Sequence, residues 1–511
     1  MPHWLRMLTR TRYVASVLNP RRPGLLLLLL LGLITTIPAM ATGVTPLPNS
    51  GEGDSVAIIS LRSQVVATSA AKDGRLRQLP GSDGCIGDKS ARSSGCATGR
   101  GLSGPGPFMG SRAIAVSPDG KHAYVASFAS DAVAVLKRNQ NTGVLTQSPG
   151  KGGCVATKAA QGCRRAVGLD GPNSVAVSHD GRNVYATARN SGAVVTFRRD
   201  RSSGALRQLG CVSEAPIPGC ATGTALTGAD VVVASKDGDN VYVGAFFGNA
   251  IAAFSRSADD GDLTQLAGGA ACIAEATTGC TPGIALKQVE GLAISDNGES
   301  VYAGTAESGA VVVLDRDPAT GGLSQPDPGC VTDTPLTGCV TGRQLAGVNA
   351  VALSPDGKDL YATSLFSASL TSFSRSSSGG ITQKTDLAGC SVNRAPLASS
   401  TCRYVRHMSQ PEGLVVAPGG RNVYVTAFKT GAVTVYDRDP KSGVVLQKRG
   451  AAGCVGAPAG CTKGRALAGA SSAVVSPDGR FVYVTAFDSN AVVVLERCSS
   501  KCRPHSGGAL G

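Results

Sequence analysis

The sequence predicts an all-β fold: a seven-bladed β-propeller of four-stranded antiparallel blades. Its N-terminal strand closes the last blade, and its loops are stapled by disulfides. Three observations lead there. A tyrosine recurs seven times, as Tyr124, Tyr185, Tyr242, Tyr302, Tyr361, Tyr424 and Tyr483, at intervals of 57 to 63 residues. Before it runs a Ser-Pro-Asp-Gly-like turn, clearest in VSPDGKHAYV from Val116, LSPDGKDLYA from Leu353 and VSPDGRFVYV from Val475. A Gly-x-Leu-x-Gln-like segment and two cysteines complete each unit. A fixed period of this kind marks a repeat architecture, in which each unit is too small to bury its own hydrophobic faces.

Within one unit the strands follow from the turns between them. Asn173 to Ser178 reads as the innermost strand, followed by the turn at His179, Asp180 and Gly181. Val184 to Ala188 and Gly192 to Arg198 follow, then a polar turn, then Ala205 to Leu209 as the outer strand. Asp-Gly and Ser-Gly between short β-rich runs are hairpin signals, and four such strands make a propeller blade. The innermost strand is almost all Ala, Val and Ser, as a crowded centre demands.

Closure can be counted. The Gly-x-Leu-x-Gln segments start at Gly74, Gly143, Gly204, Gly261, Gly321, Gly379 and Gly443. The first precedes every Val-Tyr strand, and the last Val-Tyr strand has none after it. Gly74 to Leu79 is therefore expected to complete the blade formed by Ser471 to Arg497, which leaves no open edge. Val65 to Thr68 also fits a third strand, one more than seven blades need.

The termini fall outside the repeat. Residues 1–23 carry five arginines and no acid, Leu25 to Ile37 is apolar, and Ala39-Met40-Ala41 has the small-x-small form of a cleavage site. These are the parts of a secretory signal peptide, and the apolar run is shorter than the ~20 residues a span requires. The expected organisation is a signal peptide at 1–41, a flexible leader at 42–64, a propeller at 65–498 and a tail at 499–511. The location is secreted, periplasmic or at the cell surface, with membrane attachment only if the N-terminal segment is retained.

Sixteen cysteines agree with export. Fourteen fall as one pair per repeat: Cys85/Cys96, Cys154/Cys163, Cys211/Cys220, Cys272/Cys280, Cys330/Cys339, Cys390/Cys402 and Cys454/Cys461; Cys498/Cys502 ends the chain. Even number and regular placement imply disulfides in an oxidising compartment, each worth up to about 2–3 kcal/mol in the chain-entropy account. No Cys-x-x-Cys is present to suggest zinc. The formal charge of +14 falls to +9 without the five arginines of the leader, and the remaining cations are scattered. With aromatics at 4%, this excludes a nucleic-acid surface. A monomer is expected, with a protein or a small molecule as its partner.

The phrase VSPDGRFVYVTAFDSNAVVVLER (Val475 to Arg497) resembles the repeat of the YVTN and lactonase-type seven-bladed propellers, which include 6-phosphogluconolactonases and carboxymuconate cyclases. The resemblance spans about residues 70–497 and implies the propeller fold and a lactonase-type activity. In the phosphogluconolactonase branch one inner strand opens with Gly-Pro-Arg-His, whose last two residues serve the site. This chain has Gly171-Pro172-Asn173-Ser174 there, and Arg112 is followed by Ala113. That mechanism therefore does not carry over.

Ligands of propellers gather over the central channel. The residues five positions before each turn form a ring there: Arg112, Asn173, Asp230, Glu290, Asn349, Glu412 and Ser471. Three carboxylates near one axis repel unless a cation or an arginine joins them, and Asp, Glu and Asn oxygens suit a divalent cation such as calcium. Asp230, Glu290 and Glu412 are the candidate metal ligands, and Arg112, Asn173, Asn349 and Ser471 the candidate ligand-binding groups. The ring resembles in site type the calcium-dependent gluconolactonases, where the metal polarises a lactone carbonyl. A channel filled only by structural water is the competing reading.

His407 is the one histidine expected on this face and the candidate general base; His122 and His179 fall in turns at the opposite end and are expected in solvent. The loops after the repeated tyrosines carry Phe128, Arg189, Phe246, Ala306, Leu365, Phe428 and Phe487, with Phe247 and Phe366 alongside. These form either packing between blades or an apolar collar for a partner. Two functions stay open: a secreted module that binds through its stapled loop face, and a metal-assisted lactone or ester hydrolase at the channel mouth.

Overall fold

A computed structural model describes residues 73–89, 95–106, 112–158, 162–393 and 401–498. The signal peptide, the leader, Val65 to Thr68, Cys502 and the tail lie outside these residues. Among the described residues no helix is long and apolar enough to cross a membrane.

Seven sheets follow one another along the chain. The innermost strands are Ile114–Val116, Pro172–Val177, Ala229–Ala234, Val289–Ile294, Val348–Leu353, Pro411–Val416 and Ala470–Val475. In the second blade Pro172–Val177 pairs with Asn183–Ala188, that with Ala193–Arg199, and that with Leu206–Ser213, all antiparallel. The outer strand runs past the expected Leu209 through Cys211 to Ser213, and Ala221–Thr222 adds a short parallel edge beyond it. In the other six blades a short helical turn or an irregular loop splits the outer strand, and its second half starts at the first cysteine. Closure is as expected: Leu76–Gln78 and Cys85–Asp88 both pair with Ala491–Arg497.

The repeated letters prove to be joints between blades. Each tyrosine hydroxyl donates to the carbonyl of the Gly-x-Leu glycine in the next blade, as Tyr124 to Gly204 and Tyr242 to Gly321. The same bond from Tyr424 to Gly74 and from Tyr483 to Gly143 carries the chain of joints through the closing blade. An arginine at the end of each third strand donates back to the preceding blade's tyrosine: Arg199 Nε to Tyr124 at 2.8 Å, Arg316 Nε to Tyr242 at 2.8 Å. Its other nitrogens hold the glycine carbonyl of its own turn and, in five blades, the turn aspartate next door, as Arg316 does with Gly298 and Asp237. The glycine is required. Gly261 has φ +83°, and a Cβ there would run into the Asn183 side chain.

The fold corrects one expectation. His122 is on a strand, not in solvent; it is buried with Nδ1 2.7 Å from Arg199 Nη2. Burial and the Arg199 charge lower its pKa to about 4, so it is neutral. His179 is exposed, as expected.

The seven pairings expected within the repeats are all disulfides. Cys85 is bonded to Cys96, Cys154 to Cys163, Cys211 to Cys220 and Cys272 to Cys280. Cys330 is bonded to Cys339, Cys390 to Cys402 and Cys454 to Cys461. Their number fits an oxidising environment. The expected eighth pair, Cys498 with Cys502, has only its first member among the described residues, where Cys498 is buried.

All fourteen cysteines are therefore scaffold rather than site. The first of each pair opens a strand of the outer half-blade in six blades and lies within the continuous outer strand in the second, and the second (Cys96, Cys163, Cys220, Cys280, Cys339, Cys402 or Cys461) brings the end of the loop back beside it. The segment after each second cysteine is then clamped by the glutamine of Gly-x-Leu-x-Gln in the following blade. Gln147 accepts from the Arg100 amide and donates to the Arg100 carbonyl; Gln208 does the same with Val167 and Gln447 with Arg406. The cysteine loops are thus fixed within their blade by sulfur and to the next blade by an amide.

Candidate functional site

The ring residues sit where the innermost strands begin, and a register shift interrupts the pairing at each of six. The breaks fall at Asn173, Asp230, Glu290, Asn349, Ser471 and between Pro411 and Leu414, which brackets Glu412. A bulge frees a side chain from strict alternation and re-aims it. All six side chains are buried.

Hydrogen bonds link the ring along its circumference. Asn173 Nδ2 donates to Asp230 Oδ1 at 2.7 Å in the next blade. Asn349 Nδ2 donates to the Pro411 carbonyl at 2.7 Å, and Asn349 Oδ1 accepts from Thr363 Oγ1. Ser471 Oγ meets Thr485 Oγ1 at 2.9 Å and the Pro105 carbonyl at 3.2 Å. Among the described residues, buried oxygens without a hydrogen-bond partner include Asn173 Oδ1, Asp230 Oδ2 and both oxygens of Glu290.

The charge balance is uneven. Burial raises the Asp230 pKa to about 7, against the opposing pull of Arg189. Burial first, then the charges of Asp230 and Glu412, push Glu290 well above the carboxylate range, with Arg189 opposing. An arginine of the chain itself stands among the acids. Arg189 Nη1 lies 3.4 Å from Asp230 Oδ1, and its guanidinium stacks on Phe246 at 3.9 Å and reaches Phe247 at 5.2 Å. It is the single arginine at the collar position, and that isolation was its signal in the sequence.

The candidate ligands do not close on one point. Among the described residues, the only trio of His, Cys, Asp or Glu whose ligating atoms all lie within 4.8 Å of each other is His407, Cys454 and Cys461. Those cysteines form a disulfide, which offers no thiolate. Asp230, Glu290 and Glu412 do not form such a trio, although the charges of Asp230 and Glu412 both reach Glu290. His407 itself is half-buried against this disulfide, in the left-handed region at φ 59°.

Arg112 departs from the ring. Its side chain is open to the channel and spans it, with Nη2 3.5 Å from the Val351 carbonyl in the fifth blade. The collar divides too. Phe246, Ala306 and Leu365 are buried, and Phe128, Phe428 and Phe487 half-buried. Phe247 and Phe366 are 62% and 65% exposed.

The family comparison agrees with this architecture: residues 110–223 match the family described as lactonase, 7-bladed β-propeller. No curated protein matches. Among solved structures, the periplasmic gluconolactonase PpgL of Pseudomonas aeruginosa is similar at 20% identity and TM-score 0.47, over 66% of this chain and 83% of that one. A Bacteroides uniformis protein named as a candidate 6-phosphogluconolactonase is similar at 17% identity and TM-score 0.48, over 72% and 88%. The hydrazine synthase of Kuenenia stuttgartiensis is similar at 17% identity and TM-score 0.46, over 77% and 96%. In its repeat, its seven closed blades and the matched segment, the chain resembles the lactonase-type seven-bladed β-propellers.

Proposed function

We propose that the protein is a binding module whose loop face takes a protein or a hydrophobic ligand. The observation that carries this is the exposure of Phe247 and Phe366 on tight, pre-formed loops. Each ring lies over the glycine just before an innermost strand, Gly228 and Gly347, at positive φ and with no room for a Cβ. Large aromatics held out into solvent contribute most to recognition when little entropy is lost on binding. The glutamine clamps and disulfides supply that rigidity.

The test is selection of a displayed peptide library on the mature chain, countered with a Phe247→Ser/Phe366→Ser variant. Peptides that bind the wild type and lose at least about tenfold in affinity for the variant support the reading. Enriched peptides that bind both proteins equally defeat it.

One observation favours a second reading, a metal-assisted lactone or ester hydrolase. The unpartnered oxygens of Asn173, Asp230 and Glu290 are the hard donors a calcium ion takes, and the matched family is described as lactonase. A cation would polarise a lactone carbonyl there. Against it stands Arg189, which already lies beside Asp230. An upward shift of the thermal midpoint in millimolar Ca²⁺ over EDTA, lost in Glu290→Gln, supports a metal; lactone turnover lost in the same variant ties catalysis to the ring.

A further inference from the structure

Below the ring, the innermost strands enclose a cavity of about 460 Å³. Its walls are apolar side chains such as Ile114, Val177, Val232, Leu292 and Ile294, together with the backbone edges of the innermost strands. Each of those strands pairs on one side only, with the second strand of its blade, so the other edge faces the channel. Asp296 is the one carboxylate among the lining residues, and it lies two residues beyond an innermost strand, at the turn end.

Arg112 is the cation of this cavity. Among the described residues it has no ion-pair partner, and its side chain makes one long hydrogen bond, to the Val351 carbonyl. A guanidinium carries five donors and does not deprotonate in proteins. The side chain keeps free surface in the channel, and desolvation there lowers its pKa. The seven joint arginines are treated differently, each meeting a tyrosine hydroxyl and a turn carbonyl. A charge held between protein walls without a counter-ion costs stability that only an anion or ordered water offsets.

We infer that the channel is a binding site for a small organic carboxylate, held by Arg112. The carboxylate takes the guanidinium in the fork geometry that suits it. The apolar walls bury the carbon body, while hydroxyl or amide groups can meet the free strand edges. The volume is in the range of small-molecule sites. The lining runs out to Asp296, Ser354 and Pro355 at the turn end and includes Arg112 but none of the other six ring residues, so this site is separate from the loop face and from the ring oxygens.

The experiment is calorimetric titration of the mature protein with hexanoate, benzoate and inorganic phosphate, backed by thermal midpoints at millimolar anion. Hexanoate or benzoate should bind the wild type and raise its midpoint. Arg112→Met should lose about tenfold to a hundredfold in affinity, the size of one charged hydrogen-bonded contact. Arg112→Lys, which keeps the charge without the fork, should fall between. Ala234→Phe narrows the cavity away from Arg112 and should weaken hexanoate as well; it decides the question should Arg112→Met not fold. Equal binding by wild type and Arg112→Met overturns the inference. So does binding of phosphate alone, which would mark an inorganic anion site, and so does no response to any of the three.

Discussion

The turn end of the propeller and the ring at its other end both bury charge, and they do so in opposite ways. At the turn end, Arg438 meets Tyr361, the Gly420 carbonyl, Asp356 and Asp359. Arg199 meets Tyr124, Gly181 and both oxygens of Asp119. Their donors are used, and the carboxylates gain. Burial would raise Asp119, but the Ser117 hydroxyl and Arg199 bring it down to about 2. At the ring, Glu290 has no hydrogen bond to either oxygen, and its neighbours Asp230 and Glu412 raise its pKa further. Satisfied buried charge rigidifies; unsatisfied buried charge is a cost to folding that functional sites retain. The difference separates scaffold from site within one repeated motif.

The comparison is broken most severely at the joints. Arg438→Met leaves the buried Asp359 with Lys384 as its remaining ion-pair partner. It should cost about 3–5 kcal/mol in denaturant unfolding followed by circular dichroism. A loss under about 1 kcal/mol would mean that the joints carry little. Tyr242→Phe removes one hydroxyl that serves Gly321 and Arg316 together, and should cost about 1–2 kcal/mol.

The two ends also respond to pH with opposite sign. Asp230 titrates at about 7 in the fold against 3.8 ordinarily. The folded state keeps a proton that the unfolded chain has released, so this stabilisation is full below 3.8 and is lost as pH rises towards 7. His122, lowered to about 4 from 6.5, does the reverse. Its contribution is full above 6.5 and is lost as pH falls towards 4. Thermal midpoints across the window from about pH 4 to 7 should therefore decline less with rising pH in Asp230→Asn than in the wild type. They should rise less in His122→Asn, a residue that three other blades already hold at this position as Asn183, Asn240 and Asn422. Parallel profiles for both variants and the wild type would remove the distinction.

The smallest effect is expected at Glu290→Gln. Burial and the neighbouring acids favour the protonated carboxyl of Glu290, so the swap is close to isosteric and should change stability by less than about 1.5 kcal/mol. A large loss would show that its carboxylate is bound to something essential.

Much of the scaffold is legible in the letters. The tyrosine, the turn and the Gly-x-Leu-x-Gln segment specify blade number and closure, and the spacing of Cys85 from Cys96 or Cys390 from Cys402 specifies a local staple. The joint arginines are equally regular, yet their role is not: an arginine stands fourteen residues after each of the seven tyrosines, from Arg138 to Arg497. What hides it is that each serves the tyrosine of the preceding blade, not its own, as Arg199 serves Tyr124 at a separation of 75 residues. Ring positions can be aligned from the turn serines, but their burial cannot, because it depends on bulges that six of the strands share. Arg189 and Arg112 show the limit. One arginine turns towards the acids and the other away into the channel, and composition is identical for both.

The repeat, the seven blades, the closure by the N-terminal strand and the seven disulfides are all written in the amino-acid order. Each is specified by local spacing, and spacing survives in one dimension. The folded arrangement settled which charges are paired, which phenylalanines face solvent and that Arg112 lines the channel with no ion-pair partner among the described residues. Those outcomes depend on contacts between blades, where residues distant in the chain set each other's burial and electrostatic surroundings.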